Sequence, residues 1–172
     1  NGDILKDIST NYDFFEERDI SNTHHIPKTS VLLSTDSSSN YYHWMCQVLP
    51  RVDLLKKFGL LWESVDNIIV QKNQAKFILD SLSSLKIPTN KIHALQSNSC
   101  YQFEDLIIPC KPNRHVHLSH WSVNFLRKTF LQSRTGPQDN KIYISRNPKF
   151  GRSISNEEEI LPYIEALGCK QI

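Results

Sequence analysis

The stretch VDNIIVQ (65–71), NQAKFILDSLSSLKI (73–87) and NKIHALQ (90–96) limits the fold more than any other. A short run rich in branched apolar residues comes first. A segment with Phe77, Ile78, Leu82 and Leu85 at helical spacing follows, and then a second short run. Strand, amphipathic helix, strand is a crossover unit, and crossover units build parallel sheets. The alternation extends along the chain. KTSVLLST (28–35) and FEDLIIPC (103–110) read as strands, and 41–58 reads as a helix stopped by Gly59. LSHWSVNFLRKTFLQS (118–133) reads as a helix with Trp121, Phe125, Leu126 and Phe130 on one stripe. Residues 1–22 are polar and acidic, a ragged edge or a first short strand. The expected fold class is α/β, a layered domain around a largely parallel sheet.

GPQDN (136–140) is the strongest loop signal. After it, KIYISR (141–146) reads as a strand, NPKFGRS as a loop, SNEEEILPYIEALG (155–168) as a helix, and a further strand begins at Cys169. Pro162 implies either a kink in that helix or a separate first turn. A parallel strand needs neighbours to bury both faces, and this last unit has few. The expected division is therefore 1–137 as one domain and 138–172 as the opening, incomplete elements of a second. The alternative is that 141–172 extends the edge of the first sheet.

Composition excludes several function classes. Of 172 residues, 39% are hydrophobic and 22% charged, which suits a packed globular chain. The net charge of +2 is interspersed and too small to imply a nucleic-acid or membrane-surface partner. No apolar run approaches the ~18 residues of a membrane span. The first residues carry neither Met nor a signal-peptide pattern, so the expectation is a processed or excised chain in the cytoplasm. Cys46, Cys100, Cys110 and Cys169 form no CxxC pair and read as reduced, buried thiols. His115, His117 and His120 lack a carboxylate or cysteine at matching spacing, so no metal is expected there.

Two motifs carry polar chemistry. In NYYHWMCQVLPRV (40–52), His43, Gln47 and Arg51 stand at i, i+4 and i+8 on one helix face. Tyr42, Met45, Leu49, Val52 and Leu55 make the expected core stripe, with a kink at Pro50. On spacing alone, the polar stripe simply faces water. Trp44 beside His43, at a helix start that follows a strand, tilts the reading, because ligands of α/β folds sit there. In KIYISRNPKFGRS (141–153), Arg146, Lys149 and Arg152 follow a strand and suit a diphosphate, since guanidinium groups hold phosphate oxygens bidentately. A solvated basic loop is the plain alternative. The glutamates of SNEEEI read as helix capping.

Together these motifs resemble glycosyltransferase family 61. NYYHWMCQVLPRVDLL resembles the family's Asn-x-x-His-Trp followed by an apolar helix and Leu-Pro-Arg, and KIYISRNPKFGRSISNEEEI resembles its Tyr-Ile-Ser-Arg, later Arg and Asn-Glu-Glu. The resemblance implies a GT-B architecture of two Rossmann-like layered domains. It also implies transfer of a sugar from a nucleotide-sugar donor to a hydroxyl acceptor, without an obligatory metal or other cofactor. Polysaccharide or capsule biosynthesis is the implied setting. Residues 1–137 then form the acceptor-side domain and 138–172 the beginning of the donor-side domain, a fragment inactive by itself. His43 matches the family's cleft histidine and is the candidate catalytic base. Trp44, Gln47 and Arg51 are candidates for substrate binding, and Arg146 and Arg152 for the donor diphosphate. The chain departs from the family pattern at Gln47, where Asp is frequent, and at Asn147, where many members carry a second Arg. The competing reading is a non-catalytic carbohydrate- or protein-binding α/β domain. A hydrolase or dinucleotide enzyme finds no Gly-x-Ser-x-Gly, P-loop or Gly-x-Gly-x-x-Gly to support it.

Overall fold

The computed structural model describes residues 23–35, 37–72, 75–96, 99–112, 117–131, 141–146, 151 and 153–172. The chain divides into two compact units, 1–132 and 133–172.

The first unit is organised by four strands: β1 (Thr23–Leu32), β2 (Asn67–Gln71), β3 (Ile92–Leu95) and β4 (Cys100–Ile107). They form one sheet in the order β3-β2-β1-β4, and every pairing is parallel. This mixed α/β arrangement with a parallel sheet fits the expected Rossmann-like fold. α1 (Tyr41–His43), α2 (Pro50–Lys57) and α3 (Lys76–Ser84) lie on the two crossovers, and α4 (His120–Phe130) follows β4. β3 and β4 are linked by residues 96–99, too short a stretch for a crossover helix.

Strand β2 is buried from Asn67 through Val70, as a central parallel strand must be. Val31, Leu33, Ile68 and Val70 meet Trp44, Val48, Leu49, Val52, Ile78 and Leu82 in one continuous core. Each such fully buried apolar side chain contributes about 1.5–3 kcal/mol. Buried Asn67 on β2 is satisfied: its Nδ2 donates to Pro27 O (2.8 Å) and to Ser30 Oγ (3.3 Å). α2 ends where the sequence places its stop. Gly59 takes φ +76, and Leu60 N donates back to Leu55 O (3.0 Å), a closure that a side chain at Gly59 would strain.

The segment 41–58 is not the single helix expected. Between α1 and α2, residues Trp44–Val48 form a wider π turn, in which Leu49 N donates to Trp44 O (3.0 Å). The cause is Pro50. It brings no N–H to the ladder and its ring crowds the carbonyl four residues back, and a wider turn ahead of it relieves both. The extra residue rotates everything before Pro50 relative to a regular helix. Tyr42, expected in the core, is therefore exposed, while Trp44 and Val48 take the interior.

α4 is clipped to α2 by Asp53, which accepts from Trp121 Nε1 (2.6 Å) and pairs with Lys57 (2.9 Å), while Lys57 Nζ lies 4.7 Å from the Trp121 ring centre.

In the second unit, β5 (Lys141–Tyr143) and β6 (Cys169–Gln171) pair in parallel, joined through α5 (Glu157–Ala166). Pro162 lies inside α5, a single helix rather than two turns. Tyr143 donates its hydroxyl to Glu157 Oε1 (2.6 Å), tying strand to helix. Among the described residues no helix is long and apolar enough to cross a membrane. No disulfide joins the four cysteines; Cys46 is buried, Cys100 and Cys169 half-buried and Cys110 exposed.

Candidate functional site at the carboxyl edge of the sheet

The chain runs from β1 to β2 to β3 in one direction across the sheet, and β4 lies on the other side of β1. The order therefore reverses between β1 and β4. In open α/β sheets, ligands bind outside the carboxyl ends at such a reversal. Leu32 pairs with Ile69 and Val31 with Ile107. Continuing both registers brings Gln71, Ser34 and Cys110 to one level at that edge.

Serine and threonine build the turn that leaves β1. Ser38, fully buried, accepts from Thr35 N (2.5 Å) and donates to Thr35 O (2.7 Å), and its Oγ lies 3.3 Å from Ser34 Oγ. Asn40 then caps the helix, its Oδ1 accepting from Tyr42 N (2.9 Å). The polar run that looked like a bare cap signal is thus a knot that fixes where α1 begins. Three residues later stands His43.

His43 is half-buried, and its Nδ1 lies 3.0 Å from Gln47 Oε1. A carbonyl oxygen only accepts, so this pair places the proton on Nδ1 and leaves the Nε2 lone pair available. The arrangement orients an imidazole to take a proton. A neutral amide, unlike a carboxylate, gives no charge stabilisation to the imidazolium that would form.

Arg51 belongs to the same sequence stripe, yet in α2 it is buried with Val52 and Leu55. It is 3% exposed, and its Nη1 donates to Ser34 O (3.0 Å). Burial pulls the guanidinium below its ordinary value, and the nearby Cys110 sulfur opposes that shift. Arg51 Nε has no hydrogen-bond partner among the described residues, and neither does Gln71 Oε1. Two orphaned buried polar atoms in a native fold call for an explanation, and both side chains stand at the edge where a ligand is expected.

Trp44 is 1% exposed, and its Nε1 donates to Ser81 Oγ on α3 (2.8 Å) while Ser81 Oγ donates to Ile78 O (2.8 Å). It fills the core beneath His43 instead of lining a surface. Cys46 is buried as well, and burial pushes its thiol up, away from nucleophilic use. His117 and His120 are exposed before and at the start of α4. His115 lies outside the described residues.

In the second unit, Arg146 is exposed just past β5, and Lys149 and Arg152 lie outside the described residues. Glu157 is held below the ordinary carboxylate range by the Tyr143 hydroxyl and by Ser145. Its oxygen is thus engaged in joining β5 to α5.

The structure brings His43 and Gln47 into contact and seats Arg51 at the carboxyl edge of the same unit. Sequence reading missed the aromatic group beside them. Tyr41 packs edge-on with Phe77 of α3 (ring centres 5.2 Å apart, planes at 79°), and Tyr42 packs edge-on with His43 (5.5 Å, 82°). The signal was present as two consecutive tyrosines directly after a helix cap, but a 3.6-residue period assigns one of them to the core.

A parallel α/β sheet with an oriented histidine at its strand-order reversal has polar chemistry where open α/β folds bind their ligands. The model of the family Glycosyltransferase 61 matches residues 41–171, and the chain belongs to that family. Membership implies glycosyltransferase activity, with a sugar donor and an acceptor. No curated protein and no solved structure matches the chain.

Proposed function

We propose that the protein transfers a sugar from a nucleotide-sugar donor to a hydroxyl acceptor in polysaccharide biosynthesis, within a GT-B architecture. Residues 1–137 form the acceptor-side domain, and residues 138–172 belong to the donor-side domain. The observation that carries this reading is the His43–Gln47 pair at the carboxyl edge of a sheet in a glycosyltransferase family member. His43 Nε2 takes the acceptor hydroxyl proton as that oxygen bonds to the anomeric carbon. The bond from the anomeric carbon to the phosphate oxygen breaks, and the nucleoside diphosphate leaves with the electron pair. Such a base contributes about 10²- to 10⁴-fold.

Gln47 orients the base and Arg51 orients the acceptor, while Trp44 sets His43 from below. Arg146 and Arg152 supply positive charge to the leaving diphosphate, in keeping with chemistry that needs no metal. The same reading sets the reaction in the cytoplasm.

His43→Ala in the intact protein, assayed against a panel of nucleotide sugars, is expected to lose about 10²- to 10⁴-fold in kcat/KM. Unchanged turnover removes His43 as the base. A second reading, a carbohydrate-binding domain without catalysis, draws on Gln47 in place of a carboxylate; saccharide binding with no transfer from any donor would favour it.

A further inference from the structure

Cys110 is exposed, whereas Cys46 is buried and Cys100 and Cys169 are half-buried. It stands three residues past Ile107, which pairs with Val31, and so reaches the level of Ser34 at the carboxyl edge of the sheet. Pro109, which is buried, and Pro112 bracket it, and their fixed φ angles hold the sulfur to a narrow range of positions. An exposed thiol alone says little. What distinguishes this one is the guanidinium beside it.

Arg51 is 3% exposed and reaches the same level from α2, its Nη1 donating to Ser34 O (3.0 Å). Its Nε–H is buried with no acceptor among the described residues, and no carboxylate pairs with it there. A buried cation in that condition lacks an anion. The Cys110 sulfur lies within electrostatic reach, since negative charge on it favours the charged guanidinium against the cost of burial. The thiol does not itself satisfy Nε. An oxygen attached to the sulfur would extend its reach and make it a stronger acceptor. Lys111 adds a second positive charge next to the thiol, and no Asp or Glu occurs from Leu106 to Pro112. Thiols that react with oxidants sit in such surroundings, exposed and electropositive.

We propose that Cys110 is an oxidation site that regulates transfer: hydrogen peroxide converts its thiol to a sulfenate, whose oxygen accepts from the Nε–H of Arg51 and takes that side chain from the acceptor. The sulfur attacks one peroxide oxygen. An S–O bond forms, the O–O bond breaks, and the other oxygen leaves as water with the thiol proton. Sulfur is oxidised by two electrons and the peroxide is reduced. The sulfenic acid releases its remaining proton to solvent as the anion settles on the guanidinium. A thiol reductant reverses the change, two of its thiols becoming a disulfide while the oxygen leaves as water. The inference rests on the glycosyltransferase reading of Arg51 and adds a control to it.

The test separates the modification from its effect on transfer. The intact protein is treated with hydrogen peroxide, sulfenic acids are trapped with dimedone, and labelling at each cysteine is read by mass spectrometry. Cys110 is expected to be labelled in preference to Cys100 and Cys169. Arg51→Met should reduce its labelling roughly ten-fold, the effect of losing one charge-assisted hydrogen bond, and Arg51→Lys should retain part of it. In the transfer assay, wild type should lose activity with peroxide and regain it with dithiothreitol. Cys110→Ser should turn over like wild type and resist peroxide. Labelling spread evenly over the three cysteines would overturn the site. Cys110 labelling unchanged in Arg51→Met would overturn the role of the guanidinium. Preferential, Arg51-dependent labelling with no loss of transfer would overturn the regulation. The same labelling in a protein that transfers from no donor would keep the oxidation site and overturn the transferase reading.

Discussion

After β1 the chain turns through Ser34, Thr35 and Ser38, is capped by Asn40 and sends Arg51 into the interior. After β5 it leaves Arg146 exposed and enters α5 with no side-chain hydrogen bond at the cap. Both are strand-to-helix junctions at a carboxyl edge, and both carry an arginine that the family pattern marks. Burial is what separates them. The first junction is backed by a four-stranded sheet and an interior helix, so its polar groups are fixed by the core. In the second unit no residue of α5 is buried, so its polar groups stand where solvent or a ligand can reach them. A substitution at the first junction should therefore disturb folding and function together unless it is chosen to separate them. One at the second should disturb function alone.

The largest contrast is in stability. Trp44→Ala removes a fully buried indole and strands Ser81, and should cost about 3–5 kcal/mol in denaturant unfolding. Ile142→Ala, on exposed β5, should cost less than about 0.5 kcal/mol. A loss below 1 kcal/mol for Trp44→Ala would mean that the π turn can repack without it, and the contrast would fail.

Arg51 permits the separation. A buried, incompletely paired guanidinium carries a desolvation cost, so Arg51→Met should leave the melting temperature unchanged or raise it. If Arg51 orients the acceptor, the same variant should lose roughly ten- to a hundred-fold in transfer, the equivalent of one charge-assisted contact. Arg146→Met should leave the melting temperature unchanged while raising donor KM. An Arg51→Met protein that is destabilised yet fully active would assign the residue to the Ser34 hinge alone.

Much of the first unit is legible in the sequence because its runs are long and strongly periodic. The strands expected at 65–71, 90–96 and 103–110 appear as β2, β3 and β4 with shifted ends, and 118–133 contains α4. Gly59 marks the end of α2 as expected. What the sequence hides is the consequence of one proline. Pro50 announces a break, but counting at 3.6 residues per turn cannot say that the break inserts a residue. Tyr42 is therefore assigned inward, and Arg51 and Trp44 outward, all against the structure. His43 and Gln47 still meet, with His43 Nδ1 3.0 Å from Gln47 Oε1 across the start of the π turn. The strand order that puts Ser34 between Gln71 and Cys110 is a long-range property, and no local pattern encodes it.

Gln47 gives a smaller effect that probes the same junction. Gln47→Glu would set a carboxylate against His43 Nδ1 and favour the imidazolium. A base that must be unprotonated to act then needs a higher pH, so the acid limb of the transfer profile should move up by about one unit. The high-pH plateau should hold or rise. A profile that does not move would show that the Gln47 contact does not bear on the base. No change in the acid limb is expected from Glu157→Gln, since Glu157 serves the second junction.

The smallest expected effect compares the carboxylates that clip each unit. Burial alone would push Asp53 up, but hydrogen bonds from Lys57 and Trp121 and the charges of Lys57 and Lys56 outweigh it and hold the carboxyl below its ordinary value. A carboxyl depressed in the folded state contributes stability that is fully present above its unfolded value near ~4 and is lost as pH falls through the folded value. Asp53→Asn should therefore cost about 1 kcal/mol at neutral pH, one charged hydrogen-bond set, and this difference from wild type should shrink as the solution is acidified below about pH 4. Tyr143→Phe removes the corresponding clip in the second unit, where Glu157 is also depressed, and should leave the acid limb of the first unit's unfolding in place. If Asp53→Asn keeps the wild-type acid dependence, the α2–α4 clip is not what acid releases, and the two units would then respond to protonation alike.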